Sequence, residues 1–311
     1  MYSVGVYMDP INGINFQKDS TISILKSLQN KAKIEYIVPD SVHSDSISIY
    51  ADICDLKIIS LSQKKYFLKR KRRINLNKLD CILFRLDPPV DSKYISQLQL
   101  FRELEDQNTL VLNSPESLLR FNEKVLGCQL SQSKLPTIIA SDEGKIESFL
   151  ERHNVIVLKP MNLMAGKGII KVKKTKSSSE LIREHIKKNK VIMAQKFLDE
   201  ITRGDNRIII YNGIIEKNVL TRMPPKGDFI ANLANGGSFK ITKVKKKCLI
   251  NLEKVASFLQ YHGIFFAGVD MIGDYITEIN ITSPTGIQNI KNGLSLKIAN
   301  QLIKKINEYY S

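Results

Sequence analysis

Through the first 115 residues short apolar runs alternate with helix-patterned segments, and no other feature narrows the possible folds as much. "SVGVYMD" (3–9) reads as a buried strand stopped by Pro10. "STISILKSLQNK" has helical spacing, with Asp19 in front as its cap. "KIEYIVP" (33–39), "LDCILFRLDPP" (79–89) and "TLVLNSP" (109–115) read as further strands, and "YISQLQLFRELEDQ" as a helix between the last two. Strands that alternate with helices imply a parallel sheet covered on both faces. The expectation is an α/β, doubly wound domain over residues 1–121. Ligands of such sheets gather at the carboxyl ends of the strands, where Asp9, Arg85, Asp87 and Asn113 fall. Capping or turn formation is the better account of Asn113. For Arg85 a turn role and a ligand contact both stay open.

The pattern then changes. "NVIVLKP" (154–160) is a strand of branched residues ending in Lys159-Pro160, and "MNLMAGKGIIKVKK" runs from a glycine-bearing loop straight into an alternating strand. Strand–loop–strand fits neither a Walker A element nor a Rossmann fingerprint, both of which open a helix. Such a loop can still cover phosphates with its backbone N–H groups. "VIMAQKFLDE" (191–200) is a strand entering a polar hinge. "GDNRIIIYNGIIEKNVLTRMPP" (204–225) is two strands about an Asn212-Gly213 turn, with Asp205, Arg207 and Arg222 at strand ends. "KGDFIANLANGGSFK" (226–240) is expected to be a long mobile loop of the kind that serves as a lid. "LINLEKVASFLQYHG" (249–263) is an amphipathic helix stopped by Gly263.

Near the end, "DMIGDYITEIN" (270–280) sets Asp270, Glu278 and Asn280 inside an otherwise apolar run. It reads as a hairpin about Gly273-Asp274, with Glu278 and Asn280 on one face of their strand. A plain two-residue turn pairs 269 with 278 and aims Asp270 away from Glu278. A three-residue loop or a bulge puts the two opposite each other. Opposed carboxylates repel unless a cation joins them, and all-oxygen donors suit Mg²⁺ or Mn²⁺. The expectation is the second phasing, with Asp274 left as a turn residue.

Charge bears on partners. Lys and Arg number 47 against 31 Asp and Glu, a formal net charge of +16. The clusters "KKYFLKRKRR" (64–73), "KVKKTK" (171–176) and "KVKKK" (243–247) are not patterned as a base-stacking platform. The first falls in a polar, loop-like region. A solvated basic surface is expected rather than a nucleic-acid partner. Cys54, Cys81, Cys128 and Cys248 are scattered, as are the four histidines, so neither a disulfide framework nor a zinc centre is expected. No run reaches the roughly 18 apolar residues of a membrane span, and the N-terminus lacks a basic leader with a long apolar region. A cytoplasmic, membrane-free protein is expected.

Together the E-x-N strand, an upstream Asp, a strand-ending Lys-Pro and a glycine loop between strands resemble an ATP-grasp ligase. "MDPINGIN", "LFRLDPP", "NEK" (122–124), "VLKP", "MAQ", "GDNR", "NLANGG" (232–237) and "GVDMIGDYITEINITSPTG" (268–286) occur in order over nearly the whole chain and resemble the bacterial glutathione synthetase family. The resemblance implies an ATP-grasp module of two α+β lobes after residue 121: a small lobe at 122–192 with the phosphate-covering loop, and a large lobe at 193–311 with lid and metal site. It implies ATP-dependent joining of γ-glutamylcysteine to glycine through an acyl phosphate. Carried over by position, Lys124 and Lys159 would contact ATP phosphates, and Gly166, Lys167 and Gly168 would close over them. Gln195 with the backbone of Phe197 and Leu198 would hold adenine, and Asp205 the ribose. Asp270, Glu278 and Asn280 would bind Mg²⁺ (or Mn²⁺), and Arg207 and Arg222 would stabilise the transferring phosphoryl group. Arg85, Asn280, Ser283 and Thr285 would contact the peptide substrate. A homo-oligomer is implied as well. Two departures concern Leu163 and Met164, which stiffen the glycine loop, and Ile230 and Ala231, which stand where the family's lid often carries Arg, whose role is supplied by Lys226 or left undone. Another ATP-grasp amino-acid or peptide ligase, or a non-catalytic nucleotide or nucleic-acid binder, is the alternative. "LFRLDPP" and the N-terminal match speak against the other-ligase alternative.

Overall fold

A computed structural model describes residues 1–45, 47–233 and 236–311. The first sheet holds β1 (Tyr2–Tyr7), β2 (Ala32–Ile37), β3 (His43–Ser44), β4 (Ile49–Ser60), β5 (Lys65–Asn75), β6 (Cys81–Phe84) and β7 (Leu110–Leu112). Its order is β3-β4-β2-β1-β6-β7, with β5 on the far side of β4. The pairs β1/β2, β1/β6 and β6/β7 are parallel, as expected. β1 sits at the centre and is apolar on both faces, because helices cover both. On one side lies α1 (Ser20–Leu28), whose first turn is capped by the Asp19 carboxylate accepting from the Ile22 N–H. On the other lie α2 (Ser92–Asp106) and α3 (Pro115–Arg120).

The basic run at 64–73 is not a loop. It forms most of β5, an edge strand antiparallel to β4. Cross-strand acids make this possible: Asp52 takes Lys71 and Arg73, Asp55 takes Arg72, and buried Glu35 takes Arg72 and Lys33. The remaining charge leaves the edge unattractive to another strand.

α4 (Glu123–Leu130) follows. The small sheet contains β8 (Thr137–Ala140), β9 (Val155–Pro160), β10 (Ile170–Lys173) and β11 (Ile192–Lys196), ordered β10-β9-β11-β8 and antiparallel at each pairing. α5 (Glu143–His153) and α6 (Ser178–Asn189) bury Ile146, Leu150 and Ile182 against it. The large sheet contains β12 (Asp205–Tyr211), β13 (Ile214–Ile215), β14 (Asn218–Met223), β15 (Ser238–Lys243), β16 (Phe266–Ile272) and β17 (Tyr275–Asn280). Its order is β15-β14-β12-β16-β17, with β13 hanging on β12. α7 (Lys246–Tyr261), α8 (Ile287–Ile290) and α9 (Leu294–Tyr310) complete the chain. Among the described residues no helix is long and apolar enough to cross a membrane.

Packing crosses the expected boundaries in two places. α9 returns to the first sheet and buries Ile298, Leu302 and Ile306 with α1 residues Ile22, Leu25 and Leu28. α4 packs on β17, although it opens the segment assigned to the small lobe. Asn113 does not cap a turn: its side chain donates to the Phe266 and Ile281 carbonyls at 2.8 and 2.6 Å and accepts from the Phe266 N–H, strapping the first domain to the large sheet.

At the end of α2, burial pushes the Glu105 carboxyl up to about 7, with Asp106 and Glu116 adding to the effect. A carboxyl raised in the folded state favours its proton there, so its charged form costs stability as pH rises from the unfolded value near 4.3 to about 7. Glu105→Gln is expected to raise stability by about 2 kcal/mol at pH 8 and to change little at pH 5, as read by denaturant unfolding. The amide carbonyl can keep the bond from the Ser114 hydroxyl.

Candidate active site

The site is assembled on one face of the large sheet. β12 pairs with β16 so that Arg207 lies opposite Asp270, and with β14 so that Asp205 lies opposite Arg222. The β16–β17 connection is a two-residue turn at Gly273-Asp274, since Ile272 pairs with Tyr275. Of the two devices that could set Asp270 opposite Glu278, the three-residue loop is therefore absent. The register then slips between Met271 and Asp270, so that Asp270 faces Glu278 and Thr277 is the extra residue. A β-bulge, not the turn, brings the two carboxylates to one face. Asp274 is a turn residue tied to Lys247 at 2.5 Å.

Asp270 is buried and neutralised by protein cations. Arg207 donates to its two oxygens at 2.8 and 2.7 Å, Arg222 at 3.0 Å, and the Asn280 amide at 3.1 Å. Burial pushes the Asp270 carboxyl up, but Arg207 and Arg222 outweigh it and hold the group well below the usual carboxylate range. Asp205 pairs with Arg222. Burial, helped by Asp270, pushes its carboxyl up to about 6 against the pull of Arg222. Among the described residues Asp205 Oδ1 and Arg222 Nε are buried without a hydrogen-bond partner, and both residues line a cavity, where a ligand can satisfy them.

That cavity, about 120 Å³, lies between the small and large sheets. Lys159 on β9 donates to Gln195 on β11 at 2.7 Å, and Gln195 donates to Thr137 at 3.0 Å. Lys124 stands in the first turn of α4, not at its end. It pairs with Glu278 at 3.0 Å and donates to the Leu163 carbonyl at 2.9 Å. Burial pushes the Lys159 ammonium down. The loop after β9 is tightly turned: Lys167 and Ile169 donate backbone N–H groups to Met164 and Gly166, and Gly166 and Gly168 have φ of 76° and 70°. A Cβ on Gly168 would lie 2.9 Å from Pro160 Cγ. Lys171 stacks 3.4 Å from the Phe197 ring centroid. Lys124, Lys159, Gly166, Lys167, Gln195, Phe197, Leu198 and Asp205 all line this cavity; Gly168 does not, and lies against Pro160 and Leu163, which do. Ile230 and Ala231 line it too. Of the "NLANGG" string, Ala234 and Asn235 lie outside the described residues, and its end leads into β15, so 238–240 belongs to a strand rather than to the loop.

A second cavity of about 560 Å³ opens toward the first domain. Arg85, Asn280, Ser283 and Thr285 line it. Arg85 is committed within the protein, donating to Thr21 Oγ1 at 3.0 Å and to the Thr282 and Pro284 carbonyls at 3.0 and 3.2 Å. It braces the loop after β17. Ser283 donates to Asp87, and the Thr285 carbonyl accepts from Arg207.

Two supporting residues escaped the sequence reading. Glu123, in "NEK", accepts from the Ile281 and Thr282 N–H groups at 2.7 and 2.9 Å and from the Thr282 hydroxyl at 3.0 Å. Gly127 lets α4 lie against β17: a Cβ there would sit 3.0 Å from Glu278 Cα and N. Gly127→Ala is expected to cost about 1–3 kcal/mol of stability and to lower ATP turnover by displacing Glu278. Thermal unfolding and a phosphate-release assay read the two effects.

Among the described residues no group of three or more His, Cys, Asp or Glu converges as a metal centre. A divalent ion would therefore rest on two carboxylates and an amide oxygen. The donor set is all oxygen; Asp270 Oδ2 is taken up by Arg207, Arg222 and Asn280, but Oδ1 accepts only from Arg207 Nε and keeps a lone pair. Among the described residues Glu278 has only Lys124 as an ion-pair partner. These residues fit a hard cation. The smaller cavity is lined by six cationic side chains against three carboxylates, a balance suited to a polyanion.

Three sheets with a cationic cleft between the last two define the class. Solved structures share this architecture: D-cycloserine synthetase DcsG aligns with a TM-score of 0.69 at 10% identity, covering 98% of this chain and 99% of that one. A RiPP-associated ATP-grasp ligase from Chryseobacterium gregarium aligns with a TM-score of 0.63 at 12% identity, covering 98% and 97%. The chain has the fold of an ATP-grasp ligase. Residues 2–119 match the prokaryotic glutathione synthetase N-terminal domain, and residues 123–294 match the ATP-grasp domain of the same family. Glutathione synthetase of Vibrio parahaemolyticus is 33% identical over 312 residues, 98% of each chain. That of Buchnera aphidicola subsp. Schizaphis graminum is 35% identical over 309 residues, 98% of this chain and 96% of its own. The chain belongs to the prokaryotic glutathione synthetase family.

Proposed function

We propose that this chain joins γ-glutamylcysteine to glycine at the expense of ATP, with the nucleotide in the smaller cavity and the peptide acceptor in the larger one. One observation carries the assignment of the two cavities. They share a wall, and Arg207, Arg222 and Asn280 line both. A γ-phosphate at that wall meets a carboxylate arriving from the other side, between two guanidinium groups that offset the charge of a transferring phosphoryl group.

Lys124 and Lys159 hold the phosphates from below, and the 163–168 loop covers them. Gln195 and the backbone of Phe197 and Leu198 face the base, and the unpartnered Asp205 oxygen takes a ribose hydroxyl. Mg²⁺ would be held by Glu278, Asp270 and Asn280, and when bound it would supply charge neutralisation. The cysteinyl carboxylate of the dipeptide attacks phosphorus and ADP leaves. The glycine amine, as free base, then attacks the acyl carbon of the resulting acyl phosphate, and phosphate departs. No protein nucleophile is required. Water must be kept from the acyl phosphate, and Met164, Ala165 and Asn232 close the shared wall.

Phosphate release is expected to require ATP, γ-glutamylcysteine and glycine together. No release above background with all three present refutes the reading, and release with a different amino acid in place of glycine redirects it to another ligase. The protein is also proposed to be a homo-oligomer, which light scattering on the purified chain reads directly.

A further inference from the structure

Four carboxylates line the larger cavity; Glu123 is committed to the Ile281 and Thr282 N–H groups, and the other three play no part in nucleotide binding. Asp9 follows β1, Asp87 follows β6, and Asp19 caps α1, so all three stand at the carboxyl edge of the first sheet. Each spends one oxygen on the fold. Asp9 Oδ2 accepts from the Asp87 N–H at 2.9 Å, Asp19 Oδ1 from the Ile22 N–H at 2.7 Å, and Asp87 Oδ1 from the Ser283 hydroxyl. Among the described residues none of the three has an ion-pair partner. The nearby cation, Arg85, is committed to Thr21, Thr282 and Pro284. By contrast Asp205, Asp270 and Glu278 are all ion-paired. Half-buried carboxylates that face one another repel, and a cation between them offsets that cost.

The two ends of the cavity set the orientation of its occupant. The reacting carboxylate must lie at Arg207, Arg222 and Asn280. The far end of the acceptor then lies at Ser283 and Asp87. Asn280 and Ser283 are three residues apart, a span of at most about 10 Å, which matches γ-glutamylcysteine from its cysteinyl carboxylate to its α-amino group. We infer that Asp9, Asp19 and Asp87 form a cradle for the α-ammonium of the γ-glutamyl head, selecting an acceptor that ends in a free amino acid. Lys18, which lines the same cavity and has no ion-pair partner among the described residues, meets the head's carboxylate. Glycine is the wrong occupant for the cradle, because its amine reacts as the free base and carboxylates hold it charged. The inference rests on the larger cavity being the acceptor site.

The test compares γ-glutamylcysteine with N-glutarylcysteine, which lacks only the α-amino group, by calorimetric titration of the full chain saturated with ADP. The wild type is expected to bind the first about 30-fold more tightly, the worth of a desolvated charge-assisted contact. Asp87→Asn and Asp9→Asn are expected to weaken γ-glutamylcysteine by a similar factor and to leave N-glutarylcysteine unchanged or tighter. Asp19→Asn keeps a capping residue and is expected to behave the same way. Unchanged ADP affinity shows that each variant is folded. The inference is overturned if the wild type binds the two ligands alike, if it binds neither, or if the variants weaken both by one factor. Phosphate release is scored separately, so a chain that discriminates as expected but releases none refutes the ligase reading and not the cradle.

Discussion

Glu278→Ala is expected to lower ATP-dependent phosphate release by about 100- to 1,000-fold, the scale on which removing one group aimed at transition-state charge reduces turnover. Glu278 faces the smaller cavity beside Asp270 and Asn280, and among the described residues its one ion-pair partner is Lys124. Two roles are compatible with that position. As a ligand to Mg²⁺ it sets the affinity for the ion, and as a partner of Lys124 it holds a phosphate-binding ammonium in place. Glu278→Gln separates them. The amide oxygen can still accept from Lys124 but is a poorer ligand to a hard cation. The metal role predicts that Glu278→Gln is partly rescued by raising Mg²⁺, whereas the bracing role predicts near-normal activity at every Mg²⁺ concentration. Glu278→Ala also leaves the buried Lys124 ammonium unpaired, so the variant should unfold at lower temperature. If Glu278→Ala retains more than about a tenth of wild-type turnover, the metal assignment is wrong.

The strands and helices read from the sequence were legible because their periodicities are local, but β4, β8, α4, α5, α6 and α9 were not read. The residues of the cleft were legible too, since carboxylates and arginines at the ends of apolar strands have few structural reasons to be there. What stayed hidden depended on partners distant in the chain. The 64–73 run looks like a loop until Asp52, Asp55 and Glu35 are placed across from it. Asn113 reads as a turn residue until Phe266 and Ile281 come within its reach. The phase of Asp270 against Glu278 followed from chemistry, through the repulsion of paired carboxylates, but the device did not. A bulge at Thr277 leaves no mark that a β-branched residue in any strand would not leave. Gly127 was silent for a similar reason: only the approach of β17 shows why a helix would carry glycine there.

Asp270→Asn is expected to destabilise the protein by about 3–5 kcal/mol at neutral pH, the cost of breaking a buried ion pair by removing one partner. Asp205, Arg207, Arg222 and Asp270 form a buried quartet of balanced charge. Taking out Asp270 leaves two guanidinium groups sharing one carboxylate, and that carboxylate is already pushed up to about 6 by burial. The pH dependence has a definite sign. Because Arg207 and Arg222 hold the Asp270 carboxyl below its usual range, its contribution is complete above the unfolded value near 3.9 and is lost only as pH falls through the depressed value. The gap between wild type and Asp270→Asn, read by denaturant unfolding, should therefore be full at pH 7 and close only in strong acid. Charge balance supplies the control. Asp270→Asn combined with Arg222→Gln restores neutrality and should recover much of the lost stability, while turnover stays low because a guanidinium has left the wall shared by the two cavities. If the double variant is no more stable than Asp270→Asn, packing rather than charge balance holds the quartet together. If it recovers activity along with stability, Arg222 acts on the fold and not on the transferring phosphoryl group.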